Sequence, residues 1–327
     1  MKKVSMQDIA NKLNVSKVTV SKAFKSSNDI SLSMRENVLK TAEELGYIYN
    51  FSKRYNVGVL TSSLFLEKDE SFYTRIYKTL AEDSNLYNLQ LLLNIVSDSD
   101  QESCKLPYIL EFGNVDALII MGQLRKEFVK YLIELDIPIL LMDFYFRGVN
   151  ADTIISNNYQ ASYEITSHLI DLGHTNIGFL GNIKTTTSIQ DRYLGYVKAL
   201  LENNIELNPS FLIKDRDEEQ NIIELKFLDK LPTAYVCNND NAAYMLIKEL
   251  MKQGYKVPDD ISVVGFDDLY YSEYSDPKLT TVRVDRQDMA KMSLRRILKR
   301  ITEKDVEVKR FVINPKCIYR DSVKNIK

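Results

Sequence analysis

Cysteine and histidine are scarce in this 327-residue chain, with three of the first and two of the second. Cys104, Cys237 and Cys317 are odd in number and far apart. That excludes a disulfide framework and reads as reduced thiols in a cytoplasmic protein. The histidines, His168 and His174, have no close pair of cysteines beside them, so no metal site is expected. His168 lies beside the apolar stripe Ile165, Leu169 and Leu172 and reads as structural. Catalytic signatures are absent as well: no G-x-G-x-x-G, no P-loop and no G-x-S-x-G elbow. A dehydrogenase, nucleotide hydrolase or esterase on an α/β scaffold would carry one of them, so neither an enzyme nor a cofactor is expected. Long apolar runs are lacking too, and nothing approaches the ~20 residues of a membrane span. Met1-Lys2-Lys3 leads straight into a polar, capped helix, which is not the pattern of an export signal.

What is present is unevenly charged. Residues 1–56 hold ten Lys/Arg against five Asp/Glu, a net +5, whereas the whole chain is −2 and so leaves −7 for residues 57–327. A basic head on an acidic body steers the head toward a polyanion and keeps the body away. Charge alone is also compatible with an ordinary solvated helical cap.

The head carries three helix starts. Ser5-Met6-Gln7-Asp8 has the form of a capping box, followed by Ile9, Ala10 and Leu13 on one face. Ser16 can cap a second helix with Val20, Ala23 and Phe24 inside. Ser31 can cap a third, with Val38, Ala42 and Leu45 inside and Gly46 ending it. Between the first two, Leu13-Asn14-Val15 is a tight turn, and Asn14 tolerates the left-handed backbone such a turn needs. This is a helix-turn-helix. Its second helix offers Lys17, Val18, Ser21 and Lys22 to base edges, because none of them is needed inside. Ser5, Ser16, Thr19 and the helix N-terminus suit phosphate oxygens, as do Lys53 and Arg54 further on.

Residues 57–327 read differently. Val57–Leu60, Ala117–Met121, Pro138–Met142, Ile177–Leu180 and Ser262–Phe266 are short apolar runs of the buried parallel-strand kind. Amphipathic helices are expected near 72–86, 101–112, 126–135, 159–172, 190–203 and 240–253. Alternation of strand and helix implies doubly wound parallel sheets, and the number of units implies two lobes. Ligands in such sheets bind beyond the C-terminal strand ends. Asp143, Asn239 and Asp267 each follow a strand, and Arg192 opens a helix. Carboxylate, amide and guanidinium together suit a polyhydroxylated ligand, and Phe72 can stack on the apolar face of a sugar. Each polar residue has a plainer reading as a helix cap, turn residue or surface ion pair.

Three segments make the pattern specific: Val4-Ser5-Met6-Gln7-Asp8-Ile9-Ala10, Val15-Ser16-x-x-Thr19-Val20-Ser21 and Glu44-Leu45-Gly46-Tyr47. They resemble the head of the lactose-repressor/galactose-repressor family of bacterial regulators, and the resemblance extends over essentially the whole chain. It implies an N-terminal helix-turn-helix at 1–49, a short linker at 50–56 and a two-lobed core at 57–327 resembling type I periplasmic binding proteins. Lobe 1 would take about 57–157 plus a segment near 286–316. Lobe 2 would take about 158–285 plus the C-terminal end, with three crossovers between them. The resemblance also implies a homodimeric repressor on a pseudo-palindromic operator, controlled by a small effector, a carbohydrate before a purine or nucleoside. Arg192 matches the family's R-x-x-G-aromatic arginine, Asn239-Asp240 its N-D-x-x-A, and Asp267 its effector loop, with Asp143 a weaker match. The alternative function is a solute-binding protein for a sugar transporter, and the basic head argues against it.

The chain also departs from the family. Asn157-Asn158 stands where D-N is usual, Asp285 replaces a crossover proline, and Tyr49 replaces another proline. The linker holds no leucine to wedge into a minor groove, leaving Phe51 as the only candidate, and seven residues are few for a stable helix. Nothing in the sequence predicts a tetramer-forming heptad tail.

Overall fold

Asn14 sits at φ 54°, ψ 42° in a computed structural model that describes residues 4–24, 30–45, 47, 54–66, 72–226, 230–303 and 305–327. Gly46, Tyr49, Phe51 and Lys53 lie outside the described residues. The left-handed turn lets the Val15 N–H close back on the Ala10 carbonyl at 3.0 Å. Helix α1 (Met6–Leu13) therefore ends sharply and α2 (Lys17–Phe24) starts after only three intervening residues. Asp8 accepts from the Ser5 N–H at 2.8 Å, while Ser16 Oγ accepts from the Thr19 N–H at 3.0 Å. Helix α3 (Leu32–Glu44) is capped in the same way by Ser31, from the Met34 N–H at 3.2 Å. The inner faces meet as one small core of Ile9, Ala10, Val20, Ala23, Phe24, Val38, Leu39 and Ala42.

Lobe 1 is built from β1 (Tyr55–Ser62), α4 (Phe72–Asp83), β2 (Leu89–Val96), α5 (Asp98–Glu102), α6 (Tyr108–Phe112), β3 (Ala117–Met121), α7 (Lys126–Ile133), β4 (Ile139–Met142) and β5 (Asp152–Ser156). The chain then crosses into lobe 2. There it forms α8 (Asn158–Asp171), β6 (Ile177–Leu180), α9 (Thr187–Glu202), β7 (Leu212–Ile213), β8 (Ala234–Cys237), α10 (Asp240–Lys252), β9 (Ser262–Val264), α11 (Tyr270–Tyr274) and β10 (Thr281–Arg283). It returns to lobe 1 for α12 (Arg286–Thr302) and β11 (Arg310–Ile313), and ends in lobe 2 with β12 (Lys316–Ile318). The lobes are thus joined by three crossovers.

The first sheet is six-stranded and wholly parallel, in the order β11-β5-β4-β3-β1-β2. Successive side chains of a strand face opposite ways. Val57 and Val59 pack with Ile76 and Leu294 on one face. Leu60, Leu118 and Ile120 pack with Phe128 and Leu132 on the other. The second sheet, β7-β6-β8-β9, is also parallel, with α10 on one face and α8 and α9 on the other. A two-stranded antiparallel ribbon, β10-β12, completes lobe 2. Helices α8 and α9 approach so closely that a Cβ on Gly195 would collide with the Tyr159 carbonyl.

Some local expectations differ from the fold. The single helix expected near 101–112 is two short ones, α5 and α6, because Pro107 cannot continue a helix and disfavours it at the preceding residue. Strand β1 begins at Tyr55, inside the stretch read as linker, since Tyr55 already pairs with Leu89. Asp285 accepts from the Asp288 N–H at 2.9 Å and so caps α12, a role proline lacks the side chain to fill. His174 is structural, bonded to Thr233 Oγ1 at 2.9 Å and the Lys324 carbonyl at 3.1 Å. His168 packs on the Tyr319 ring at 4.2 Å. Among the described residues no helix is long and apolar enough to cross a membrane.

Candidate ligand cleft and reading head

The C-terminal ends of the two sheets face a cavity of about 750 Å³ between the lobes. Phe72, Asp143, Arg192, Asn239 and Asp267, all singled out from the sequence, line it together. Asp143 follows β4 directly, and its φ of 69° turns the chain away from the sheet. The residue is 5% exposed. Oδ2 accepts from the Tyr73 hydroxyl at 2.8 Å, while Oδ1 has no hydrogen-bond partner among the described residues. Burial pushes the Asp143 pKa up to about 6, against the opposing pull of Arg192 and Tyr73. A buried acceptor left unfilled is costly unless something donates to it.

Across the cleft Arg192 is fixed on every side. Nε donates to Asn158 Oδ1 at 2.8 Å, Nη1 to the Asn238 carbonyl, and Nη2 to Asp267 Oδ1 at 3.3 Å. The guanidinium also lies 3.8 Å from the Phe266 ring centre. Asp267 stands at φ 105°, held by its N–H to the Val282 carbonyl at 2.8 Å. Burial raises its pKa, and the neighbouring arginines pull the other way.

The loop carrying Asp267 is shaped by Asp240. That carboxylate is fully buried and accepts from the Leu269 N–H at 2.8 Å and Thr281 Oγ1 at 2.5 Å. Gly265 is required beside it, because a Cβ there would collide with Asp240 Oδ1. Asp268 points away from the ligand space into Arg283 at 2.6 Å and Arg320 at 2.7 Å. Asn239 does two jobs: it caps α10 through the Ala242 N–H at 2.8 Å and lines the cavity. Phe72 opens α4, with its ring edge-on to Tyr73 at 5.1 Å between centres.

Tyr73, Asn158, Arg216 and Asn238 were not foreseen. Asn158 and Asn238 position Arg192, and Arg216 lines the cavity while paired with Asp215 at 2.7 Å. The one sequence signal was the run of polar residues after β8, Asn238-Asn239-Asp240. Gln123 bridges the lobes, donating to the Thr185 carbonyl and accepting from the Thr187 N–H, each at 2.9 Å.

In the head, Ser16, Lys17 and Val18 are exposed at the start of α2, Val18 by 63%. Thr19, Ser21 and Lys22 are half-buried. Ser5 Oγ donates to Asp8 Oδ2 at 2.6 Å, so Ser5 is tied into its own capping box. Arg54 is turned onto the core, donating to Asn85 Oδ1 at 2.8 Å. Lys53, its expected companion on phosphate, lies outside the described residues.

Two segments of the chain match known family models. Residues 5–50 match the model for "Bacterial regulatory proteins, lacI family", and residues 166–323 match "Periplasmic binding protein-like domain". The chain is 28% identical to the probable HTH-type transcriptional repressor ExuR of Bacillus subtilis (strain 168), over 99% of each chain. It is 28% identical to the ribose operon repressor of Haemophilus influenzae, again over 99% of each. Its fold is similar to that of the lac repressor dimer bound to operator and the anti-inducer ONPF. The TM-score is 0.70 and the identity 24%, over 99% of this chain and 100% of that one. Helix-turn-helix, two-lobed parallel-sheet core and full-length likeness to these repressors agree: the chain joins a lacI-type helix-turn-helix head to a periplasmic-binding-protein-like domain and is similar along its whole length to named repressors.

Proposed function

We propose that this chain is a cytoplasmic, homodimeric transcription repressor whose affinity for a pseudo-palindromic operator is set by a small molecule held between its lobes. A twofold dimer reads twofold DNA, with α2 of each head in a major groove. Lys17, Val18, Ser21 and Lys22 face the bases, and Ser5, Ser16 and Thr19 sit toward phosphates. Likeness to named repressors supports this reading, and the lac repressor relative is itself a dimer on its operator.

The observation that carries the effector reading is Asp143 Oδ1, a buried carboxylate oxygen with no hydrogen-bond partner among the described residues, beside a cavity that also presents Arg192, Asn239 and Asp267. Such an oxygen calls for a hydroxyl or amine donor and repels an anion. Arg192 spends three of its five N–H donors on protein acceptors, one of them the Asp267 carboxylate, which offsets its charge toward a ligand carboxylate or phosphate. The ligand is therefore an uncharged, hydroxylated molecule, with neutral sugars first. Thermal-shift screening of neutral sugars, uronates, sugar phosphates and nucleosides tests it. Stabilisation by a neutral sugar, lost in Asp143→Asn, is expected. A response confined to uronates or phosphates would refute it.

A further inference from the structure

Helix α12 touches the ligand cleft at one end and the head further along. In its first turn Arg286 donates through Nη1 to the Asp267 carbonyl and through Nη2 to the Asp268 carbonyl at 3.4 Å. Nine residues later, roughly 13 Å along the axis, Arg295 grips Glu36 of α3 with two bonds, Nε to Oε1 and Nη2 to Oε2. Tyr87 completes the group, its hydroxyl donating to Glu36 Oε1 at 2.6 Å and accepting from Arg295 Nε at 3.3 Å. Leu86 beside it packs against the hydrophobic core of the head and also against the main core. Arg35, the neighbour of Glu36 in α3, is itself buried, 6% exposed. Charged, aromatic and apolar contacts thus converge on one seam.

We infer that α12 is a strut that couples the ligand cleft directly to the reading head, with Arg295, Glu36 and Tyr87 as the clasp. Met289, Ala290, Leu294, Ile297 and Leu298 bury the helix along its length, so it moves as one body with lobe 1. A ligand that shifts the Asp267 loop moves Arg286, and through α12 moves Arg295 and the head. The clasp uses α3 and leaves the start of α2 open, with Val18 63% exposed, so it orients the head without blocking the reading face. The contact requires neither DNA nor ligand, and its failure is separable from that of the repressor reading.

Hydrogen exchange on the full-length protein, free of DNA and ligand, tests the inference. Glu36→Gln and Arg295→Ala should each raise exchange across α1–α3 by roughly ten-fold, the scale of losing charge-assisted hydrogen bonds, and leave the two sheets unchanged. The swapped pair, Glu36→Arg with Arg295→Glu, should restore protection. Arg286→Ala, which does not touch the head, should loosen α3 through the strut. A head indifferent to Arg295→Ala, or not rescued by the swap, overturns the clasp. A head indifferent to Arg286→Ala overturns the strut.

Discussion

Asp143→Asn should stabilise the ligand-free protein while destroying its ligand response. The wild-type carboxyl is raised from 3.8 to about 6 by burial. Between those values the folded protein holds a proton that the unfolded chain has lost. Stability therefore falls as pH rises through about 4 to 6 and stays lowered above. A shift of about two units corresponds to about 3 kcal/mol. The residue is 5% exposed, so solvent screening takes little from that figure. Asparagine keeps an acceptor for the Tyr73 hydroxyl and removes the titration. The variant should match wild type near pH 4 and exceed it by up to about 3 kcal/mol at pH 8, several degrees in melting temperature. Other buried carboxylates, Asp240 and Asp267, are raised in the same sense, so the readout is the difference between the two proteins across pH. Tyr73→Phe, which removes a bond to the charged form, should move the window upward. A variant less stable than wild type at pH 8, or a difference that ignores pH, would refute the reasoning.

Arg192→Ala and Asp267→Ala each strand buried partners and should weaken ligand binding by about 1–3 kcal/mol per lost bond, with duplex binding retained. Calorimetry on a sugar found by screening checks this. Lys17→Ala or Lys22→Ala should cost roughly 1–3 kcal/mol on a duplex selected from random sequence and relax base preference there, as read by fluorescence anisotropy. Gly195→Ala should destabilise lobe 2 by about 1–3 kcal/mol through overpacking, because the obstacle is backbone of α8. Denaturant unfolding measures it.

What was legible in the sequence rests on local chemistry. Ser5, Ser16 and Ser31 cap helices and Asn14 is left-handed, each role following from one side chain and its near neighbours. The cleft residues Asp143, Asn239 and Asp267 were found because polar residues stand out after apolar strands. Arg192 was legible as a cleft arginine, yet its clamps Asn158 and Asn238 were not, since they come from 34 and 46 residues away. Tyr73 gives no local signal for the same reason, its partner being 70 residues on. Strand β2 hid because it is an edge strand with a half-exposed face, so its pattern is neither fully apolar nor cleanly alternating. The clasp between Glu36 and Arg295 spans 259 residues and no local pattern announces it.

The central claim is that cleft and head are one linked system. The most direct measurement titrates the full-length protein with its selected duplex, with and without the neutral sugar that stabilises it, and measures sugar affinity with and without duplex. The account predicts that sugar changes duplex affinity and that duplex changes sugar affinity by the same factor. Sugar bound in the cleft with duplex affinity unchanged would contradict it.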